Sequence, residues 1–321
     1  MTDRSTVKAV FRLLGVQGIG PARAQAVMRW CTKKGIALDE FVTNPVTAEG
    51  GLSEKLVERL RTTPDNAERI VDKLEAAEIR VLLHSDKQYP RSITNALGDK
   101  APLFLTVKGN PGILGRPSIG FCGSRKATEK GLVVAKDCAE QLAQKGICVV
   151  SGYAAGADMA AHASALRANG MTAVVLAEGI LSFRLKEEIR QVWDWERVAV
   201  VSEFLPDAPW SVGNAMQRNS TICGLSQAMI LIEARSKGGS AEAGRTCLKM
   251  QRPLFASVYE NGSDATAGNQ DVVREGATRL YKKRSSGRAN LEKVFELLRS
   301  KGFEPDESSA SAEVSATINA R

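Results

Sequence analysis

Apolar positions recur at helical spacing through roughly the first eighty residues and then give way to short unbroken runs. Val7, Val10, Phe11 and Leu14 mark one helix, and Ala22, Ala24 and Val27 mark the face of a second. Between them Gly15-Val16-Gln17-Gly18-Ile19-Gly20-Pro21 reads as a tight turn, with Pro21 placed where a helix tolerates a missing N–H. Further helices are expected over 53–60 and 65–77. Near Ile79 the pattern changes. Ile79–Leu83 and Pro102–Val107 read as strands, and from Ser118 strands and helices alternate. Strands are expected at 118–122, 147–151, 172–177, 197–202, 227–233 and 253–257. The helices between them are expected at 128–145, 158–168, 184–195, 214–225 and 240–251. The strand runs lack polar alternation, as strands covered on both faces do, so the pattern predicts an α/β chain with a parallel sheet.

This divides the chain into an all-helical segment (1–78), an α/β segment (79–281) and a terminal segment (282–321). Lys282, Lys283, Arg284 and Arg288, with Arg279 just before the boundary, surround Ser285-Ser286-Gly287 as a basic linker in the last, and 291–298 reads as one helix. Beyond Phe303 the Ser-, Ala- and acid-rich composition predicts disorder.

Composition narrows the function classes. Of 321 residues 43% are apolar and 25% charged, as in an ordinary soluble domain, and no apolar run approaches the roughly eighteen residues of a membrane span. Met1–Ser5 shows no apolar leader pattern. The net charge of +8 is compatible with a polyanionic partner. Six cysteines without a Cys-x-x-Cys pair, and only His84 and His162, argue against zinc or any other metal and for a cytoplasmic protein with reduced thiols.

Ligands of open α/β sheets bind beyond the carboxyl ends of the strands, so the loops there carry the candidate chemistry. Gly123-Ser124-Arg125-Lys126 joins a strand to a helix start, where glycine admits an anion and arginine grips a phosphate with paired hydrogen bonds. Ser151-Gly152 leads through Gly156 to Asp158, and His162 stands one turn further on; Asp158 and His162 read as residues that tie this loop down. Arg218-Asn219 lies in the helix over 214–225, and Lys237-Gly238-Gly239-Ser240 repeats the strand–glycine–helix pattern. Together these describe a phosphate-lined groove. There is no Walker A loop and no dinucleotide fingerprint, so ATP hydrolysis and nicotinamide chemistry are disfavoured and no cofactor is expected. The turn at Gly18 and Gly20, with Arg23 beside it, looks like a helix-hairpin-helix. Two readings of it stay open: a DNA phosphate contact, or a plain turn between packed helices.

In this order the motifs resemble the DprA/Smf DNA-processing proteins of bacteria, from about residue 10 to about 280. The resemblance rests on the helical hairpin, Asp86-Lys87-Gln88-Tyr89-Pro90, Pro102-Leu103-Phe104-Leu105, Gly123-Ser124-Arg125, Ser151-Gly152 through Asp158 to His162, Gln217-Arg218-Asn219 with Gly224-Leu225-Ser226, and Gly268-Asn269 with Arg274-Glu275-Gly276-Ala277. It implies an extended Rossmann-like domain, single-stranded DNA as partner, loading of RecA recombinase, a homodimer and no catalytic reaction. Gly123, Ser124, Arg125, Arg218 and Asn219 would line the DNA pocket. The chain departs from the family where Glu178–Phe183 replaces an Asp-x-x-Tyr-Pro stretch, where Ser220 replaces a second arginine, and where Lys237–Ala241 replaces a Ser-Gly-Ser loop; a C-terminal winged helix looks absent.

A second reading is a nucleotide-binding or nucleotide-hydrolysing protein resembling the phosphoribohydrolases, with Gly238-Gly239-Ser240-Ala241 as a partial loop and Glu242 as general acid, Glu233 and Glu178 being alternatives. A third is an interaction scaffold whose loops are purely structural. Aromatic residues make up only 5% of the chain, so base stacking falls to a few side chains such as Tyr153, Phe183 or Trp210, each of which also reads as packing.

Overall fold

The computed structural model describes residues 3–48, 51–259 and 262–304. The tail expected to be disordered lies, from residue 305 on, outside the described residues, as do Met1 and Thr2. Five helices come first: α1 Arg4–Leu14, α2 Pro21–Lys34, α3 Leu38–Thr43, α4 Glu54–Thr62 and α5 Ala67–Ala76. The apolar stripe of α1 is buried at Val7, Val10, Phe11 and Leu13. Pro21 opens α2, and Gly35, at φ 68°, closes it in the left-handed conformation that glycine takes without strain. The helical layer shares its core with the sheet, because the Phe11 ring meets Phe104 edge-on at 5.2 Å.

The α/β part runs β1 Arg80–Leu83, α6 Arg91–Leu97, β2 Phe104–Gly109, β3 Ser118–Cys122, α7 Glu129–Gln144, β4 Cys148–Ser151, α8 Ala157–Arg167, β5 Thr172–Val175, α9 Glu187–Arg190, β6 Val198–Ser202, α10 Val212–Leu225, β7 Ala228–Leu231, α11 Gly239–Lys249, β8 Leu254–Ser257, α12 Ala267–Arg274 and β9 Thr278–Leu280, followed by α13 Glu292–Ser300. The sheet order is β1-β2-β6-β5-β4-β3-β7-β8-β9. From β3 the chain winds one way through β4, β5 and β6, then returns to the other side of β3 and continues through β7, β8 and β9. The loops after β3 and β7 therefore part at a topological switch point. Strands β4, β5, β6 and β7 are buried at every residue, which is why they carry no polar alternation.

The sheet is mostly parallel, as expected, with β2 running antiparallel to both β1 and β6 and α6 lying between β1 and β2 in the chain. Two expectations need correction. The helix expected over 184–195 shrinks to α9. Asp194 accepts the Glu196 N–H at 3.0 Å, a local side-chain bond that competes with helix, and Trp193 and Trp195 turn onto Phe183, with centroids at 5.9 and 6.2 Å. The basic segment after residue 281 is a docked hairpin instead of a loose linker. Lys282 bridges to Ala289, Arg288 donates to Asp137 and Glu140 of α7 at 2.6 and 3.0 Å, and Leu291, Val294 and Leu298 join the core under α7. Helices α3, α6 and α12 and strand β9 were not expected. Among the described residues no helix is long and apolar enough to cross a membrane.

Candidate functional site

The two loops that part at the switch point enclose, with α10, a cavity of about 420 Å³. Its walls come from the end of β3 through Gly123, Ser124 and Arg125, from the β4–α8 loop at Gly152, Ala154 and Asp158, from α10 at Arg218 and Asn219, and from the β7–α11 loop at Arg235, Lys237, Gly239 and Ser240. Four cations and one carboxylate, Asp158, are the charged groups of this lining. The starts of α8 and α11 face the same space, and neither carries a side-chain cap, so their positive dipole ends favour an anion there.

Close packing of backbone makes the walls. A Cβ on Gly123 would sit 2.5 Å from the Ala157 Cβ, so the β3 loop rests directly on the start of α8. Gly156, at φ 80°, lies beneath the same loop, and a Cβ there would meet the Ser124 and Arg125 carbonyls at 2.4 and 2.7 Å. The Ala157 N–H donates to the Ser124 carbonyl at 3.2 Å, and the Ser124 hydroxyl accepts the Lys126 N–H at 3.1 Å. On the far side Glu233 is buried, and its carboxylate accepts the Thr128 N–H and hydroxyl at 2.7 and 2.5 Å. This carboxylate thereby braces the start of α7. Asn269 pins the end of β7: its amide oxygen accepts the Ala234 N–H at 2.8 Å, and its amide nitrogen donates to the Ile232 and Ser257 carbonyls at 2.8 and 3.0 Å.

Arg218 is the deepest cation. Two turns into α10, it is buried beside Asp158, donates to the Val175 carbonyl at 3.3 Å, and leaves its Nε without a partner. Burial pulls its pKa below the usual arginine value and the neighbouring Arg125 adds to that pull, while Asp158 and Glu203 oppose it. Glu203 holds α10 in place by accepting from Thr221 at 2.6 Å and Gln217 at 2.8 Å; burial raises its pKa. Arg125 is exposed at the mouth, its guanidinium 5.6 Å from the ring centroid of Trp210, which is 47% exposed. The pair offers a phosphate a cation and a base an aromatic face.

Of the residues singled out from the sequence, Gly123, Ser124, Arg125, Gly152, Arg218, Asn219, Lys237, Gly239 and Ser240 meet in this one cavity. Ser151 does not line it, since its buried hydroxyl donates to the Phe121 carbonyl at 2.8 Å between strands. Gly156 packs beneath the lining, and the exposed Lys126 lies outside it. His162 is fully buried, with Nε2 2.6 Å from the Gly152 carbonyl and Nδ1 2.6 Å from the Thr172 hydroxyl. A carbonyl only accepts, so Nε2 carries a proton toward Gly152, and burial lowers the ring's pKa. Gly18, Gly20 and Arg23 lie apart from the cavity in the helical layer: Ile19 is buried, and Arg23 donates back to the Gly18 carbonyl at 2.6 Å. Sequence reasoning passed over Arg235 and Met216 and read Trp210 chiefly as packing. Arg235 lies in the β7–α11 loop after Ile232, Glu233 and Ala234 and is open to the strand-end argument applied to Lys237.

Residues 80–288 match the DNA recombination-mediator protein A family. The chain belongs to this family. It is 26% identical to Protein Smf of Escherichia coli over 269 residues, covering 83% of this chain and 70% of that protein. It is 25% identical to the DNA processing protein DprA of Bacillus subtilis over 254 residues, covering 78% and 85%. In structure it resembles DprA of Streptococcus pneumoniae at a TM-score of 0.69 with 22% identity, covering 87% of this chain and 94% of that one. It also resembles DNA processing protein A of Helicobacter pylori, whose structure is described in terms of a single-stranded DNA binding mode, at a TM-score of 0.54 with 24% identity over 63% and 90% of the two chains. These likenesses carry the α/β fold described above.

Proposed function

We propose that this protein binds single-stranded DNA in the switch-point cavity, shields the strand and hands it to a RecA-type recombinase, working as a homodimer in the cytoplasm without a catalytic step or cofactor. The observation that carries the DNA reading is the convergence of Arg125, Arg218, Arg235 and Lys237, with glycine backbone and two helix starts, on one cavity with a single carboxylate. Family membership and the binding mode named for the Helicobacter relative support it; the recombinase and the dimer follow from the family resemblance alone. Helix dipoles and arginines grip the backbone phosphates, so affinity is independent of sequence and falls with salt. A hydrolase reading finds less support. Glu242 pairs with Lys249 at 3.4 Å, and both Glu233 oxygens are engaged by Thr128, so neither is poised over the cavity as a general acid.

The test is Arg125→Ala against labelled oligo-dT by fluorescence anisotropy over a series of salt concentrations. Removing one phosphate contact lowers the slope of log affinity against log salt by about 0.7 and weakens all sequences alike. An unchanged affinity and slope removes the β3 loop from the DNA site.

A further inference from the structure

We propose, resting on the DNA reading above, that the strand does not end at the switch-point cavity. It continues across the carboxyl ends of β8 and β9 onto the basic hairpin at Lys282, Lys283 and Arg284, which forms a second contact for the phosphate backbone.

Several independent observations place this track. Strands β7, β8 and β9 are parallel neighbours, so their carboxyl ends share one edge of the sheet with the cavity. Two strand spacings, about 10 Å, separate β7 from β9, a span of roughly three nucleotides at the duplex rise. A second cavity of about 390 Å³ opens there, lined among others by Tyr259, Arg274, Arg279 and Tyr281. Asn269 forms the partition between the two: it lines the second cavity and binds the backbone of Ala234, which lines the first. Tyr281 is 49% exposed and takes a 3.5 Å contact from Arg279, so an aromatic face and a cation stand side by side on the way to the hairpin.

The hairpin itself is built to hold charge in place. Lys283 and Arg288 pair through their backbones at 2.7 Å, Gly287 closes the turn, and Arg288 fastens its root to Asp137 and Glu140. Lys282, Lys283 and Arg284 are all exposed, and among the described residues they form no ion pair. Three adjacent cations on a hydrogen-bonded turn repel one another, a cost that a polyanion relieves. Arg274 is already paired with Asp271 at 3.0 Å, so it shapes the wall and the hairpin supplies the free charge.

The experiment compares oligo-dT of about 3 nucleotides, no longer than the span from β7 to β9, with oligo-dT of about 15 nucleotides, on the full chain and on the triple variant Lys282→Ala, Lys283→Ala, Arg284→Ala. The anchoring Arg288 is left intact, and thermal melting verifies the fold. The wild type should bind the longer strand more tightly and with a steeper salt slope. The triple variant should lose about 10-fold in affinity for the long strand and about 2 in its salt slope, with the short strand unaffected. Equal effects on both lengths, or no effect on either, overturn the track. So does a shift from dimer to monomer in sedimentation with unchanged length dependence, which assigns this face to a second copy of the chain. Arg125→Ala separates the two readings: loss on both lengths supports the cavity as the primary site, whereas loss only with the hairpin variant defeats the cavity reading and leaves the hairpin. A wild-type chain that binds neither length refutes both.

Discussion

Replacing Gly152 with alanine will cost this protein most of its affinity for single-stranded DNA while leaving it folded. A Cβ at Gly152 would lie 1.7 Å from Nη1 and 2.6 Å from Cζ of Arg218, and 2.6 Å from an Asp158 oxygen. The backbone cannot retreat freely, because the Gly152 carbonyl is held by the buried His162 ring at 2.6 Å. The guanidinium, the far end of a flexible side chain, swings out of the cavity instead. Losing a charge-assisted phosphate contact of about 1.5–3 kcal/mol lowers affinity roughly 10- to 100-fold. Anisotropy with oligo-dT reads this directly, and a denaturant titration should show a much smaller change in stability. An affinity within about twofold of wild type would mean that Arg218 does not touch the strand.

Asn269→Ala carries the largest expected effect on stability. The side chain is buried and makes three short bonds to the backbone, at 2.8, 2.8 and 3.0 Å, joining the ends of β7 and β8 to the start of α12. Alanine strands the buried Ala234 N–H and removes the amide donor from the Ser257 carbonyl, each costing about 1–3 kcal/mol, while the Ile232 carbonyl keeps the Tyr259 hydroxyl at 3.0 Å, so a loss of about 2–5 kcal/mol in urea unfolding is expected. Asn269→Asp should also be destabilising. It keeps the acceptor for the Ala234 N–H but sets a carboxylate oxygen against the Ile232 and Ser257 carbonyls. A loss under about 1 kcal/mol for Asn269→Ala would show that water replaces the amide and that the partition is not a stabilising element.

Much of this architecture is legible in the chain, for physical reasons that also explain the failures. The buried strands β3 to β8 announce themselves because both faces are covered, so apolar residues fill most of their positions. The stripe of α7 read from spacing at Leu132, Ala135, Ala139 and Leu142 is buried at the last three and half-buried at Leu132. Helix α9 misleads because the 184–195 stretch has helical composition, yet its aromatic side chains find one another and the Asp194 side chain takes a backbone partner. The antiparallel entry of β1 and β2 has no local signature, since strand direction is settled by pairing partners far away in sequence. At the cavity, glycine after a buried strand marks the right loops. Which side of a loop faces the ligand is set by tertiary packing, so Ser151 and Gly156 look like lining yet serve as its support, whereas Trp210 looks like packing yet stands at the mouth. Asn269 enters the sequence reading only within the Gly268-Asn269 motif, and the meeting of β7, β8 and α12 reveals its three backbone partners.

The central claim is most directly tested by fluorescence anisotropy of labelled oligo-dT and of the corresponding duplex, each titrated with the wild-type chain at two salt concentrations. The geometry predicts tight binding of the single strand, weaker binding of the duplex and a marked loss of affinity at the higher salt. No binding of the single strand at low salt, or equal binding of strand and duplex, would contradict it.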